Sequence, residues 1–136
     1  MTLTNIFLDS NILIYLIDNH LGKRDAAEML MAEIPYVNAQ VLVEVGNVCK
    51  RKLSYTKHEV CELWYHLMSQ CRIADITEGT IAEAVYLTGK YDFQLFDAII
   101  VSGALEAECD ILYSEDMQHN LRVEGRLTIV NPFLAC

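Results

Sequence analysis

At 136 residues, 53% of them hydrophobic and 21% charged, the chain is long enough for one domain with a buried core and too apolar for disorder. Its formal net charge of -9, from 10 basic and 19 acidic residues, excludes a nucleic-acid partner held by overall charge, because non-specific affinity comes from Lys and Arg neutralising phosphates. A single domain over residues 1–136 is expected, with neither signal peptide nor membrane span: MTLTNIFLDS has no basic region before an apolar stretch, and the longest uncharged run, Leu127 to Cys136, is ten residues and contains Asn and Pro.

In chain order, Asn5 to Leu8 is a short apolar run ending at Asp9, and it gives way to a helical pattern of Ile12, Leu13, Leu16 and Ile17. Gly22 is read as a break, after which Lys23 to Ile34 resumes as an amphipathic helix with Ala27, Leu30, Met31 and Ile34 on one face. Pro35 suits the start of a brief strand, Tyr36 to Val37, and Asn38 can cap a helix running to about Leu53. Thr56 and Glu59 fit a capping box opening a helix to about Gln70. Arg72 to Ile76 reads as a third strand, and Thr77 or Thr80 can cap the helix that runs to about Lys90. A linker, YDFQ, leads into the apolar helix around Asp97. Asp110 to Ser114 is a fourth strand, followed by a short turn or helix near Met117 to Asn120, and Leu127 to Val130 is a fifth. Strands alternating with pairs of helices predict a mainly parallel sheet covered on both faces.

The five cysteines, Cys49, Cys61, Cys71, Cys109 and Cys136, are scattered and odd in number, with no CxxC pair. That suits a reducing compartment, the cytoplasm, with thiols acting as small apolar residues. The histidines form no HxxxH or HExxH pattern, which argues against a zinc site.

Acidic residues are the informative ones. Asp97 is the only charge between Phe93 and Leu105, in what reads as the first turn of a helix. A helix-start acid with no chemistry is the bland explanation, since the macrodipole favours negative charge there. In an open parallel sheet, however, ligands bind beyond the carboxyl ends of the strands, so position on a strand discriminates between acids. Asp9 ends the first strand and Asp116 lies just beyond the fourth, whereas Asp110 stands at the opposite end and reads as structural; Asp75 ranks low, near a sheet edge. Glu44 borders the apolar face made by Val41, Val45 and Val48 and shares a stripe with Gln40, Asn47 and Arg51. A solvated boundary glutamate is its ordinary explanation. Four such acids on four elements make sense together with a divalent cation among them, and oxygen-only ligands select Mg²⁺ or Mn²⁺, ions suited to in-line phosphoryl chemistry. Lys50, Arg51 and Lys52 add one local basic patch, which is either a solvated helix end or a contact for RNA phosphates.

The runs FLDSNILIYLI, VLVEVGNV, LFDAIIVSGAL and LYSEDMQH, the last ending near NPF, together resemble the PIN domain family, in particular the VapC-like ribonuclease toxins of bacterial toxin-antitoxin pairs. The resemblance covers nearly the whole chain. It implies a three-layer α/β/α sandwich with a mainly parallel five-stranded sheet in the order 3-2-1-4-5, and a Mg²⁺-dependent endoribonuclease for single-stranded RNA. It also implies an acidic pocket of Asp9, Glu44, Asp97 and Asp116, with Ser114 supporting the metal site and Ser10 a further candidate for that role. An antitoxin partner and a homodimer belong to the same expectation. Where many relatives carry Gly after the SEDMQH-like turn, this chain has Asn120, which tolerates a left-handed backbone next best.

Two other classes compete. FLDSN resembles the strand-end motif of haloacid-dehalogenase-like phosphatases, but Asn11 stands where that motif needs a second Asp. A non-catalytic PIN-like binding module would be favoured by loss of one of the four acids, and all four are present.

Overall fold

Short apolar strands, each followed by a residue able to cap a helix, set the order of elements in the computed structural model, which describes residues 4–134. Strand β1 (Ile6–Leu8) leads into α1 (Ser10–Ile14) and α2 (Leu21–Met31); β2 (Tyr36–Asn38) into α3 (Ala39–Lys52) and α4 (Lys57–Gln70); β3 (Arg72–Ala74) into α5 (Glu78–Tyr91) and α6 (Leu95–Glu106). Strand β4 (Ile111–Tyr113), β5 (Arg122–Val123) and β6 (Leu127–Val130) follow. The sheet order is β3-β2-β1-β4-β6-β5, parallel throughout except where β5 pairs antiparallel with β6. Helices cover this sheet in a three-layer α/β/α sandwich.

The expected order of five strands is present, with β6 in the fifth place, but the sheet has six. The addition is the two-residue β5, folded back on β6 by a turn in which Glu124 and Gly125 both take positive φ, 52° and 67°. Two residues are too few for an alternation pattern to show. Two boundaries also move. Gly22 does not break a helix: it lies in the first turn of α2, where His20 accepts a hydrogen bond from the Lys23 amide, and the break falls at residues 15–20. β3 stops at Ala74, leaving Asp75 exposed beyond it. The caps agree with the sequence. Thr56 and Glu59 form the capping box, and Thr77 and Thr80 both serve, Thr77 as cap and Thr80 as its partner three residues on. Asn120 has φ 67°, the left-handed turn expected of it.

Ile6, Phe7 and Leu8 are almost wholly buried, as are Leu112 and Ile129, so the centre of the sheet forms the floor of the core. Cys49, Cys71 and Cys109 are buried within it, and burial pushes the Cys71 thiol up to about 11 and that of Cys109 to about 12; Cys61 is exposed and Cys136 lies outside the described residues. Among the described residues no helix is long and apolar enough to cross a membrane.

Two glycines let α3 approach its neighbours. A Cβ on Gly46 would lie 2.7 Å from the Trp64 ring, whose indole N–H donates to the Leu42 carbonyl at 2.7 Å. A Cβ on Gly103 in α6 would lie 2.6 Å from Nδ2 of Asn38, the buried side chain that caps α3 through the Val41 amide. Gly103→Ala must therefore displace the Asn38 amide or Phe7, and should lower the unfolding free energy by about 1–3 kcal/mol in a denaturant titration. Gly89→Ala, where nothing lies within 4 Å, should instead be neutral or stabilise by about 0.5–1 kcal/mol.

Candidate active site

The chain builds outward from β1 in one direction to β2 and β3, then crosses back to place β4 on the other side of β1. The strand order thus reverses between β1 and β4, the point at which open α/β sheets leave a crevice. Register fixes what stands there. Leu8 pairs with Tyr113, so the next residues, Asp9 and Ser114, emerge side by side from adjacent parallel strands. Their backbones are tied as well, Asp9 N–H to the Tyr113 carbonyl and Ser114 N–H to the Val130 carbonyl, each at 3.0 Å.

Asp9 is 2% exposed. Its carboxylate accepts the Ser114 hydroxyl at 2.8 Å, the Ser10 amide at 2.7 Å, the Ser10 hydroxyl at 3.4 Å and the Asn11 amide at 3.2 Å. Burial nevertheless pushes its pKa up to about 6; the bonds from Ser114 and Ser10 pull it down, and the charges of Asp97 and Glu44 push it up again. Ser114 is equally committed, since its oxygen also accepts the amides of Asp116 and Met117 at 3.3 and 3.2 Å, which ties the following loop to Asp9.

The other acids approach from separate elements. Glu44 on α3 accepts the Ser10 hydroxyl at 2.8 Å and the Gln40 amide at 2.9 Å. Asp116 accepts the Asn11 amide at 3.3 Å. Asp97, in the first turn of α6, accepts no hydrogen bond and forms no ion pair among the described residues. Burial raises its pKa, as do the charges of Glu44 and Asp116. The four acids expected from the sequence therefore share one electrostatic neighbourhood, and Ser10 and Ser114 both join it. Asp110 stays at the opposite end of β4, its carbonyl accepting the Thr128 amide.

Asn11 is a site residue that the sequence alone does not single out. It bridges Asp9 and Asp116 through Nδ2, and its Oδ1 accepts the Glu115 amide at 3.1 Å. The available signal is its place two residues after a strand-end acid. Glu115 is held in turn by Lys23 and by the Tyr15 hydroxyl, which donates to it at 2.6 Å. Of the basic run, all three residues are exposed in the last turn of α3, but only Lys52 lines the cleft of about 320 Å³ that reaches Asp116.

No cation among the described residues neutralises these carboxylates. Oxygen-only donors, coupled and unneutralised, fit a hard divalent ion. No three described His, Cys, Asp or Glu side chains close around one point as a finished cage would. Mg²⁺ suits such an open set, because it keeps several of its own waters and takes one or two carboxylates directly.

The raised pKa of Asp9 makes stability depend on pH. Its folded value, about 6, exceeds its unfolded value of 3.8, so ionisation works against the fold and that penalty is fully present above pH 6. Without divalent ions, unfolding free energy should therefore rise by about 1 kcal/mol as pH falls from 7 to 5. Acids held low, Glu115 and Glu124, act in the opposite sense only below about 4.5. Chemical denaturation across this range checks it, and Asp9→Asn should flatten the profile.

Comparison with known proteins agrees with this architecture. The PIN domain family profile matches residues 6–122. A toxin-antitoxin complex from Klebsiella pneumoniae superposes with a TM-score of 0.70 at 22% identity, covering 96% of this chain and 98% of that one. VapBC2 from Rickettsia felis, bound to a promoter DNA fragment, gives 0.68 at 19%, covering 94% and 100%. The sarcin-ricin loop cleaving toxin VapC20 of Mycobacterium tuberculosis gives 0.66 at 17%, covering 79% and 87%. No curated protein sequence matches closely enough to serve as a relative. With its carboxylates gathered at the crevice between β1 and β4 and the profile spanning most of its length, this chain belongs to the PIN domain family.

Proposed function

We propose that this PIN domain is a divalent-metal-dependent endoribonuclease for single-stranded RNA, and the cytoplasmic toxin of a type II toxin-antitoxin pair. The observation that carries the reading is that Asp9, Glu44, Asp97 and Asp116 share one electrostatic neighbourhood at the strand-order reversal, with no cation among the described residues to neutralise them. Asp9, Asp97 and Asp116 would hold Mg²⁺ or Mn²⁺, one or two of them directly and the rest through its waters, and Glu44 the ion or its water. Bound there, the ion would supply an activated water and stabilise the leaving oxygen of a phosphodiester. Ser114 orients Asp9 and anchors the Asp116 loop, while Asn11 sets the spacing of Asp9 and Asp116. No side chain is needed as a nucleophile, so no covalent enzyme intermediate is expected.

Toxin-antitoxin assemblies among the similar structures support a protein antitoxin. Its segment would lie over the acidic groove with an Arg or Lys against the carboxylates. A self-complementary dimer is supported by an exposed apolar groove between α5 and α6, where Val85, Leu95 and Phe96 are 69%, 68% and 62% exposed.

Single-stranded RNA should be cut in Mg²⁺ or Mn²⁺ and not in EDTA. Asp97→Asn is the clean variant, because it removes a charge without breaking a hydrogen bond of the fold. It should abolish cleavage while leaving the metal-free protein at least as stable. Wild type should gain about 2.7 kcal/mol at a hundred times the metal dissociation constant, Asp97→Asn much less, and Asp110→Asn the full amount. Equal thermal shifts in all three would reduce Asp97 to a helix-start acid.

Expression should arrest growth unless an antitoxin is co-expressed. In sedimentation, Val85→Asp should convert a dimer to a monomer; a wild type that sediments as a monomer would overturn the dimer.

A further inference from the structure

One of the four acids, Asp116, also lines a depression that runs away from the others. From Asp116 the surface continues along Ile14, Val48 and Leu53 to Lys52, with Asp18 also on the wall, enclosing about 320 Å³. That volume is near the lower end for ligand sites, about 300 Å³, and suits one nucleoside better than a longer segment.

Three features of this cleft stay accessible from outside the fold. Lys52 is exposed and takes part in no ion pair or hydrogen bond among the described residues, on a protein of net charge -9. Ile14 and Val48 are only half-buried and Leu53 is 36% exposed, so an apolar floor is open to water beside a cation. Asp18 uses Oδ1 to accept the Asn19 amide at 2.7 Å, and its other oxygen takes no bond among the described residues. A cation for a phosphate, an apolar surface for the face of a base and a free carboxylate oxygen for an amino group are the three contacts that an unstacked nucleotide requires.

We propose that this cleft is a base-reading subsite for the nucleotide beside the scissile phosphate. Lys52 meets the flanking backbone phosphate, the base lies on Ile14, Val48 and Leu53, and Asp18 accepts a hydrogen bond from an exocyclic amino group. Cytosine and adenine carry such a group, whereas uracil presents a carbonyl oxygen in its place, which a carboxylate repels, so the subsite discriminates against uracil. Its place beside a bond to be cut rests on the nuclease reading above; the recognition of a nucleotide does not.

The probes are fluorescent oligo(A), oligo(C) and oligo(U) ribonucleotides, titrated by anisotropy against the full chain carrying Asp97→Asn in Mn²⁺, with wild-type cleavage of the same oligomers followed in parallel. Oligo(A) and oligo(C) should bind about fivefold more tightly than oligo(U), the worth of one hydrogen bond. Adding Asp18→Ala should erase that preference and leave the salt dependence unchanged. Adding Lys52→Ala should weaken all three alike and lower the slope of log affinity against log salt by about 0.7, one phosphate contact on a single strand. Lys57→Ala, an exposed lysine outside the cleft, is the charge-matched control. The proposal is overturned if no oligomer binds, if Lys52→Ala behaves as Lys57→Ala, or if the preference is absent or survives Asp18→Ala. Should the binding shifts appear without cleavage by wild type, the subsite stands and the nuclease reading falls. Cleavage without those shifts leaves the nuclease standing and removes the subsite.

Discussion

Everything at the crevice depends on keeping one carboxylate, that of Asp9, inside the protein at the end of the central strand. An isolated buried charge is costly, and the structure answers with hydrogen bonds rather than with a countercharge. The Ser114 hydroxyl is the most consequential of them, because the pairing of β1 with β4 delivers it to Asp9 and its oxygen then holds two amides of the next loop. Serine fits this position as a residue that can donate once and accept twice within the same turn. The bonds leave the carboxylate ionisable but strained towards neutrality, which is the electrostatic state that a divalent ion relieves.

Around that centre the acids differ in how firmly they are held. Asp9 is tied by several donors, Glu44 by two and Asp97 by none. The positions of the elements carrying Glu44 and Asp97 are nevertheless fixed by packing, since Gly46 lets Trp64 close on α3 and Gly103 lets α6 close on the Asn38 cap of α3. The stripped glycine surfaces bring the backbones together, while the Asp97 carboxylate takes no hydrogen bond among the described residues. A site of this kind combines a packed frame with one carboxylate that no hydrogen bond restrains.

Much of this is legible in the sequence because its signals are local. Strand-end acids, threonine and asparagine caps and a lone charge in an apolar helix follow from residue type and spacing, and they place Asp9, Asp97 and Asp116 on their elements. Glu44 is readable only as a boundary residue; its contact with Ser10 depends on how α3 packs against α1. Asn11 shows in the sequence only as the absence of an aspartate, whereas its bridging role requires knowing that β4 lies beside β1. The basic run looks uniform from 50 to 52, and only the direction of the last helical turn separates Lys52 from its neighbours. Strand β5 escapes a sequence reading because a two-residue edge strand is specified by its turn and its partner, not by a pattern of its own.

The partnership of Asp9 with Ser114 spans a separation of 105 residues. Contacts so distant in sequence form only after a long loop has closed, and they come late in folding. During synthesis, which runs from the N-terminus, the first 110 residues bring β1 to β3 and six helices while Asp9 still lacks its serine and Asp116 does not yet exist. The crevice is therefore completed only once β4 has been made. A chain interrupted before β4 carries Asp9, Glu44 and Asp97 without Ser114 or Asp116, so it holds one wall of the crevice and cannot close it.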